Sequence, residues 1–129
     1  MAITQRGLEK LELLSLHPTA ARTSTSSGTG VDLQQYDGDV VLILDSAAAG
    51  AGTNPTLDVT VEHSDASGSG YTAITGAAFT QVTNAASQQK LVISRDDAKR
   101  YVRVTYTIGG TNSPSFTFSV TGVGVKKYG

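Results

Sequence analysis

The chain contains no cysteine and no tryptophan, three prolines and one methionine in 129 residues. Without thiols there is no disulfide framework, no zinc ribbon and no cysteine nucleophile, so the fold must stand on packing, hydrogen bonds and subunit contacts. Charged residues are also scarce, at 16%, and nearly balanced, with 10 basic and 11 acidic side chains and a net charge of −1. A nucleic-acid or anionic-membrane partner calls for a basic field that this chain lacks. Long hydrophobic runs are missing too. Val40 to Leu44 and Ala47 to Ala51 are the longest apolar stretches, far short of a bilayer span. Met1 to Leu16 is broken by Arg6, Glu9, Lys10 and Glu12 and does not read as a signal peptide.

What fills the chain is Thr, Ser, Gly and short β-branched runs, a composition suited to strands and turns. The length fits one domain. Arg100 to Ile108 gives the clearest strand, with Val102, Val104, Tyr106 and Ile108 alternating against Tyr101, Arg103, Thr105 and Thr107. Thr56 to His63 repeats the alternation through Leu57, Val59 and Val61. Val40 to Leu44 is apolar at every position and reads as a central strand buried on both faces. Lys90 to Ser94 is a shorter strand, and Ser115 to Val125 a long one whose apolar phase shifts near Gly122, as at a bulge.

Leu8, Leu11 and Leu14 have helical spacing, whereas Leu11 with Leu13 and Leu14 with Leu16 have strand spacing with one slip. The strand reading is preferred, with a bulge near Leu13 and Leu14, because the proline after His17 stops a helix early. Turn chemistry fills Ser24 to Gly30, Ala47 to Pro55, Ser64 to Gly70, Asn84 to Gln89 and Gly109 to Pro114. The expected architecture is a single-domain, all-β antiparallel sandwich, jelly-roll-like, of about eight strands. Residues 1–27 form an N-terminal arm or first strand, and residues 28–129 the sandwich domain.

Chemistry is thin. His63-Ser64-Asp65 contains the residue types of a hydrolytic triad, but neighbours on a strand point to opposite faces, and a strand end running into a Ser-Asp turn accounts for them. His17, followed by proline, reads as a surface or turn residue. Asp37-Gly38-Asp39 lacks the further oxygen ligands of a calcium loop and reads as a turn. Neither Gly50 to Gly52 nor Ser67 to Gly70 has the lysine and helix of a phosphate-cradling loop. Asp96, Asp97, Lys99 and Arg100 read as a solvated charged turn between two strands, the alternative being one helical turn with Ser94 as its N-cap. Tyr101 with Arg103 is the one hint of a stacking platform for a sugar or a base. No catalytic residue, metal site or cofactor is expected.

Taken in order, Gly30-Val31-Asp32-Leu33-Gln34, Val40 to Asp45, Leu57 to Asp65 and Arg100-Tyr101-Val102-Arg103-Val104 resemble the small virion structural proteins encoded in the head-gene clusters of tailed phages and prophages. The resemblance implies a capsid decoration or cement protein: a jelly-roll-like sandwich, often trimeric, that binds the major capsid protein across neighbouring capsomers. It also implies a place on the capsid surface after assembly in the host cytoplasm, with neither nucleic acid nor membrane as partner. Two other classes compete, a tail or spike module that binds carbohydrate or a receptor, and an accessory domain of an enzyme. Met1 to Gly7 carries Ile3 and Arg6, an apolar anchor and a forked donor, close to Leu8. Ile3, Arg6 and Leu8 are the expected contacts to capsid or neighbouring subunit, the alternative being a frayed end.

Overall fold

The computed structural model describes residues 11–94 and 96–126. Eight strands make up the fold: β1 (Leu11–Arg22), β2 (Ser26–Ser27), β3 (Val31–Asp32), β4 (Tyr36–Ser46), β5 (Ala51–Ser64), β6 (Thr72–Ala78), β7 (Ser87–Ser94) and β8 (Tyr101–Lys126). All pairings are antiparallel. The expected all-β, jelly-roll-like sandwich is what the chain forms.

The organising feature is one long bent ribbon. β4 pairs with the second half of β8, from Tyr36 opposite Lys126 to Ser46 opposite Phe118. β5 continues along the first half, from Ala51 opposite Ser115 to Ser64 opposite Tyr101. Two backbone bonds, Ala47 N–H to Thr117 O and Gly50 N–H to Ser115 O, carry the ladder across the short link between β4 and β5. The ribbon folds over at this point, so that a strand switching sheets makes the corner of a sandwich. One sheet has the order β1-β8-β4-β7; the other has β6-β5-β8, with β2 and β3 on the far side of β8.

The corner corrects the sequence reading of Gly109 to Pro114 as a loop. These residues stay in β8, and the bend is taken up by positive φ at Gly110 (114°), Asn112 (60°) and Ser113 (55°). A Cβ on Gly110 would lie 2.9 Å from the carbonyl oxygens of Thr53 and Asn54, so a side chain there would meet the opposing strand where the two cross.

Between the sheets lies the core. Leu14, Leu16, Leu42, Leu44, Phe118 and Val120 from one sheet meet Leu57, Val59, Val61, Val102, Val104 and Tyr106 from the other, all buried. Leu33 and Tyr36 close one end. The segments that carry the resemblance come together on β8: Val31 pairs with Val102, Asp32 with Tyr101, and Leu57 to Ser64 with Tyr101 to Ile108. Arg100 clamps Asp32 with two bonds, Nε to Oδ1 at 3.1 Å and Nη2 to Oδ2 at 2.9 Å.

Three local readings change. The bulge in β1 falls later than Leu13 and Leu14: Ser15 opposes Thr121 and His17 opposes Val120, leaving Leu16 as the extra residue, and a second shift follows before Ala20. Pro18, which cannot donate to a ladder, sits inside that second irregularity. Asp37-Gly38-Asp39 is not a hairpin turn but the start of β4, with a register shift between Asp37 and Val41 and φ of 72° at Gly38. Nor is there a bulge at Gly122. Phe116, Phe118, Val120, Gly122 and Gly124 keep one inward phase, and the two glycines make room for opposing side chains. A Cβ on Gly124 would lie 2.8 Å from Cδ1 of Tyr36, whose hydroxyl donates to Oε1 of Glu12 at 3.1 Å.

Candidate interaction surface

Alternation gives each sheet an outward face, and the two faces differ in chemistry. On the β5 side, Asp58, Thr60 and Glu62 oppose Thr107, Thr105 and Arg103. Arg103 Nε donates to Glu62 Oε1 at 2.9 Å, and its guanidinium lies 4.1 Å from the centroid of the Tyr71 ring. Gln81 bonds both carboxylate oxygens of Asp58. This is an ordinary wet face, with its charged groups bonded to polar neighbours.

The outward face of the β1-β8-β4-β7 sheet is apolar. Leu13 pairs with Val123, Val123 with Val41, and Val41 with Val92, so one row of aliphatic side chains crosses all four strands. Leu11 and Val125 pair beside this row on one side, and Ile43 stands on the other. Leu13 is 73% exposed and Val92 50%, and Leu11, Ile43 and Val125 are exposed as well. Scattered exposed apolar residues are normal, whereas five exposed ones joined into one patch by the half-buried Val41 and Val123 and rimmed by polar groups are the pattern of an interaction site. The rim comprises Asp39 and Ser94 on one flank of the row and Ser15, Thr121, Lys90 and Asp45 on the other.

The sequence reading missed this face. It read Val40 to Leu44 as buried on both sides, yet only Val40, Leu42 and Leu44 are buried, with Ile43 exposed and Val41 partly so. A run apolar at every position needs a layer on each side, and the described chain supplies one. The alternation Gly122-Val123-Gly124-Val125 held a usable signal: it puts the small residue inward and the branched one outward, against ordinary patterning.

The predicted site residues are scattered. Ile3, Arg6 and Leu8 lie outside the described residues. His63, Ser64 and Asp65 form no triad. The Ser64 hydroxyl donates to Ser69 O and accepts from Ala66 N–H, closing the turn after β5, and His63 Nδ1 accepts from Lys99 N–H at 3.2 Å. Lys99 reaches Asp65 at 3.9 Å. His63 does line a cleft of about 320 Å³ between β6 and the turn after β7, with Ala73, Ile74, Thr75 and Asp97. Among the described residues no group of three His, Asp or Glu is gathered to hold a metal ion. After Ser94 the described residues make a turn and no helix, closed by Asp97 N–H and Ala98 N–H to Ser94 O, and Ser94 Oγ accepts from Asp96 N–H as a cap would. On the Tyr101 and Arg103 strand the guanidinium of Arg103 already covers one face of Tyr71.

His17 is the other correction. It is 2% exposed, not a surface residue, because the bulge at Leu16 turns two successive side chains inward. Its ring stacks on Phe118 at 4.2 Å and meets Tyr106 edge-on at 5.2 Å. Nε2 accepts a bond from Arg22 Nε at 3.1 Å, which leaves the proton of the neutral ring on Nδ1, where it finds no partner among the described residues. Burial first, and the Arg22 charge second, hold its pKa below the ordinary histidine value.

No protein family matches the chain by sequence, and no curated protein does. Solved structures are similar in shape. A chain of the Gx strain of infectious bursal disease virus superposes with a TM-score of 0.57 at 11% identity, covering 90% of this chain and 32% of that one. The VP2 subviral particle of the same virus gives 0.51 at 13%, again covering 90% and 32%. The SPBc2 prophage-derived protein YomS, 15% identical and covered over 93% of its length against 90% of this chain, gives 0.46, too loose a likeness to bear on architecture. This chain therefore spans about a third of the viral chains whose fold it is similar to, and what they share with it is the fold.

Proposed function

We propose that the chain is a non-enzymatic virion structural protein that decorates and stabilises the capsid of a tailed phage by binding across neighbouring capsomers. The observation that carries this reading is the fold, a jelly-roll-like sandwich similar to about a third of the length of chains of infectious bursal disease virus, one of them from a VP2 subviral particle. The ordered run of segments that resembles small phage head proteins supports it, since those segments are neighbours along β8. The chemistry also agrees: the hydroxyl of Ser64 is committed to a turn, and one outward face is aliphatic. Contacts to the major capsid protein are assigned to the N-terminal segment with Ile3, Arg6 and Leu8. Weak contacts of that kind hold when several copies bind one shell, where avidity gains reach about 10² to 10⁴.

Co-sedimentation with undecorated capsids tests the proposal. The folded protein should pellet with shells at many copies per particle, and deletion of residues 2–7 should sharply reduce the bound fraction. Absence of binding by the full chain, or a stoichiometry of a few copies per particle, would defeat the decoration role. Undiminished binding by the truncated chain would remove only the arm.

A further inference from the structure

We propose that the aliphatic face of the β1-β8-β4-β7 sheet is the contact between two copies of this chain, packed sheet on sheet about a twofold axis that runs along the Leu13-Val123-Val41-Val92 row. The inference stands apart from the virion reading, because it rests on this face alone. Three observations carry it.

The first is the patch itself. Seven aliphatic side chains from four strands share one outward face, while the outward face of the other sheet carries Asp58 bound to Gln81 and Glu62 bound to Arg103. Two such sheets pack face to face about 10 Å apart with their strands nearly aligned, which buries the row of one copy against the row of the other.

The second is area. Four strands about 4.8 Å apart and roughly eight residues long span about 500 Å² in projection. With the relief of the side chains added, the face is comparable to the roughly 800 Å² per partner of a stable interface.

The third is charge. Lys90 lies on β7 two residues before Val92, and Asp39 on β4 two residues before Val41; because β4 and β7 are antiparallel, the two charges flank the row on opposite sides. Neither has an ion-pair partner among the described residues. A twofold along the row brings Lys90 of each copy beside Asp39 of the other, twice. An axis along the strands places Lys90 near the uncharged Ser15 instead.

Sedimentation velocity of the full chain across a wide concentration range tests this. The wild type should show a monomer–dimer equilibrium. Val92→Lys and Leu13→Ser, both on exposed side chains, should raise the dimer dissociation constant about tenfold or more while the far-ultraviolet circular dichroism stays unchanged. Lys90→Glu and Asp39→Lys should each weaken the dimer, and the double variant should recover it. A wild type that is monomeric throughout overturns the proposal. So does a dimer indifferent to Val92→Lys, or one whose double charge variant fails to recover. Loss of capsid binding by Val92→Lys in a monomeric protein would assign the face to the shell instead. Capsid binding by a monomer that Val92→Lys leaves intact would sink the dimer and spare the virion reading.

Discussion

His17 is the residue at which burial and protonation are most directly opposed. Charging the ring would break the acceptor role of Nε2 toward Arg22 and set an imidazolium against a guanidinium inside an aromatic cluster. The folded chain therefore keeps the ring neutral, with its pKa depressed by burial and by Arg22. The sign follows from linkage: below about 6.5 the unfolded histidine takes up a proton that the folded one refuses. The His17 contribution to stability is thus fully present above that pH and is lost as the pH falls below it toward the folded value. Urea unfolding at pH 7.5 and at pH 5.5 should show a smaller acid loss in His17→Phe than in the wild type. An equal loss in both would mean that other groups account for it.

At the scale of the element, β8 determines how the rest of the chain is arranged. Its 26 residues pair with five other strands in two sheets, and its inward positions set the depth of the core. Gly124→Ala pushes a methyl group onto the Tyr36 ring, and overpacking of this kind costs about 1–3 kcal/mol. Phe118→Ala removes a fully buried ring that stacks on His17 and meets Tyr106, at a cost of about 3–5 kcal/mol. Denaturant titration should rank Phe118→Ala as the more damaging, with unchanged m-values in both. A neutral Gly124→Ala would show that the Tyr36 end of the sandwich has slack. Alternation makes most of these strands legible: Arg100 to Ile108 places the start of β8 and Thr56 to His63 the end of β5. But β5 already begins at Ala51, inside the stretch whose alanines, glycines and proline read as a turn, and β8 runs on to Lys126. The corner at Gly109 to Pro114 is not legible, because its glycines, asparagine and proline spell a loop, and only the opposing strand β5 reveals that the ladder runs through it.

For the whole molecule, the contrast between the two outward faces has a thermodynamic consequence. A sheet face that is buried in a dimer couples folding to concentration, so the apparent Tm should rise with protein concentration in the wild type. Differential scanning calorimetry of Val92→Lys should show a Tm nearly independent of concentration. A concentration-independent wild type would count against any obligate self-association through this face.

The sequence by itself determined the fold class, because period-two alternation, β-branched runs and turn residues are local properties that suit strands and interrupt helices. It also spoke against a triad at His63, Ser64 and Asp65, because neighbours on a strand point to opposite faces. The tertiary structure decided what depends on which side of a strand has a neighbour. Val40 to Leu44, Val123 and Val125 are aliphatic in any reading; that one side of them meets a core and the other meets none within the described chain is settled by the layering. His17 likewise moved from surface to core because one extra residue in β1 rotates its side chain inward, and a bulge is fixed by the pairing of two distant segments rather than by the residues around it.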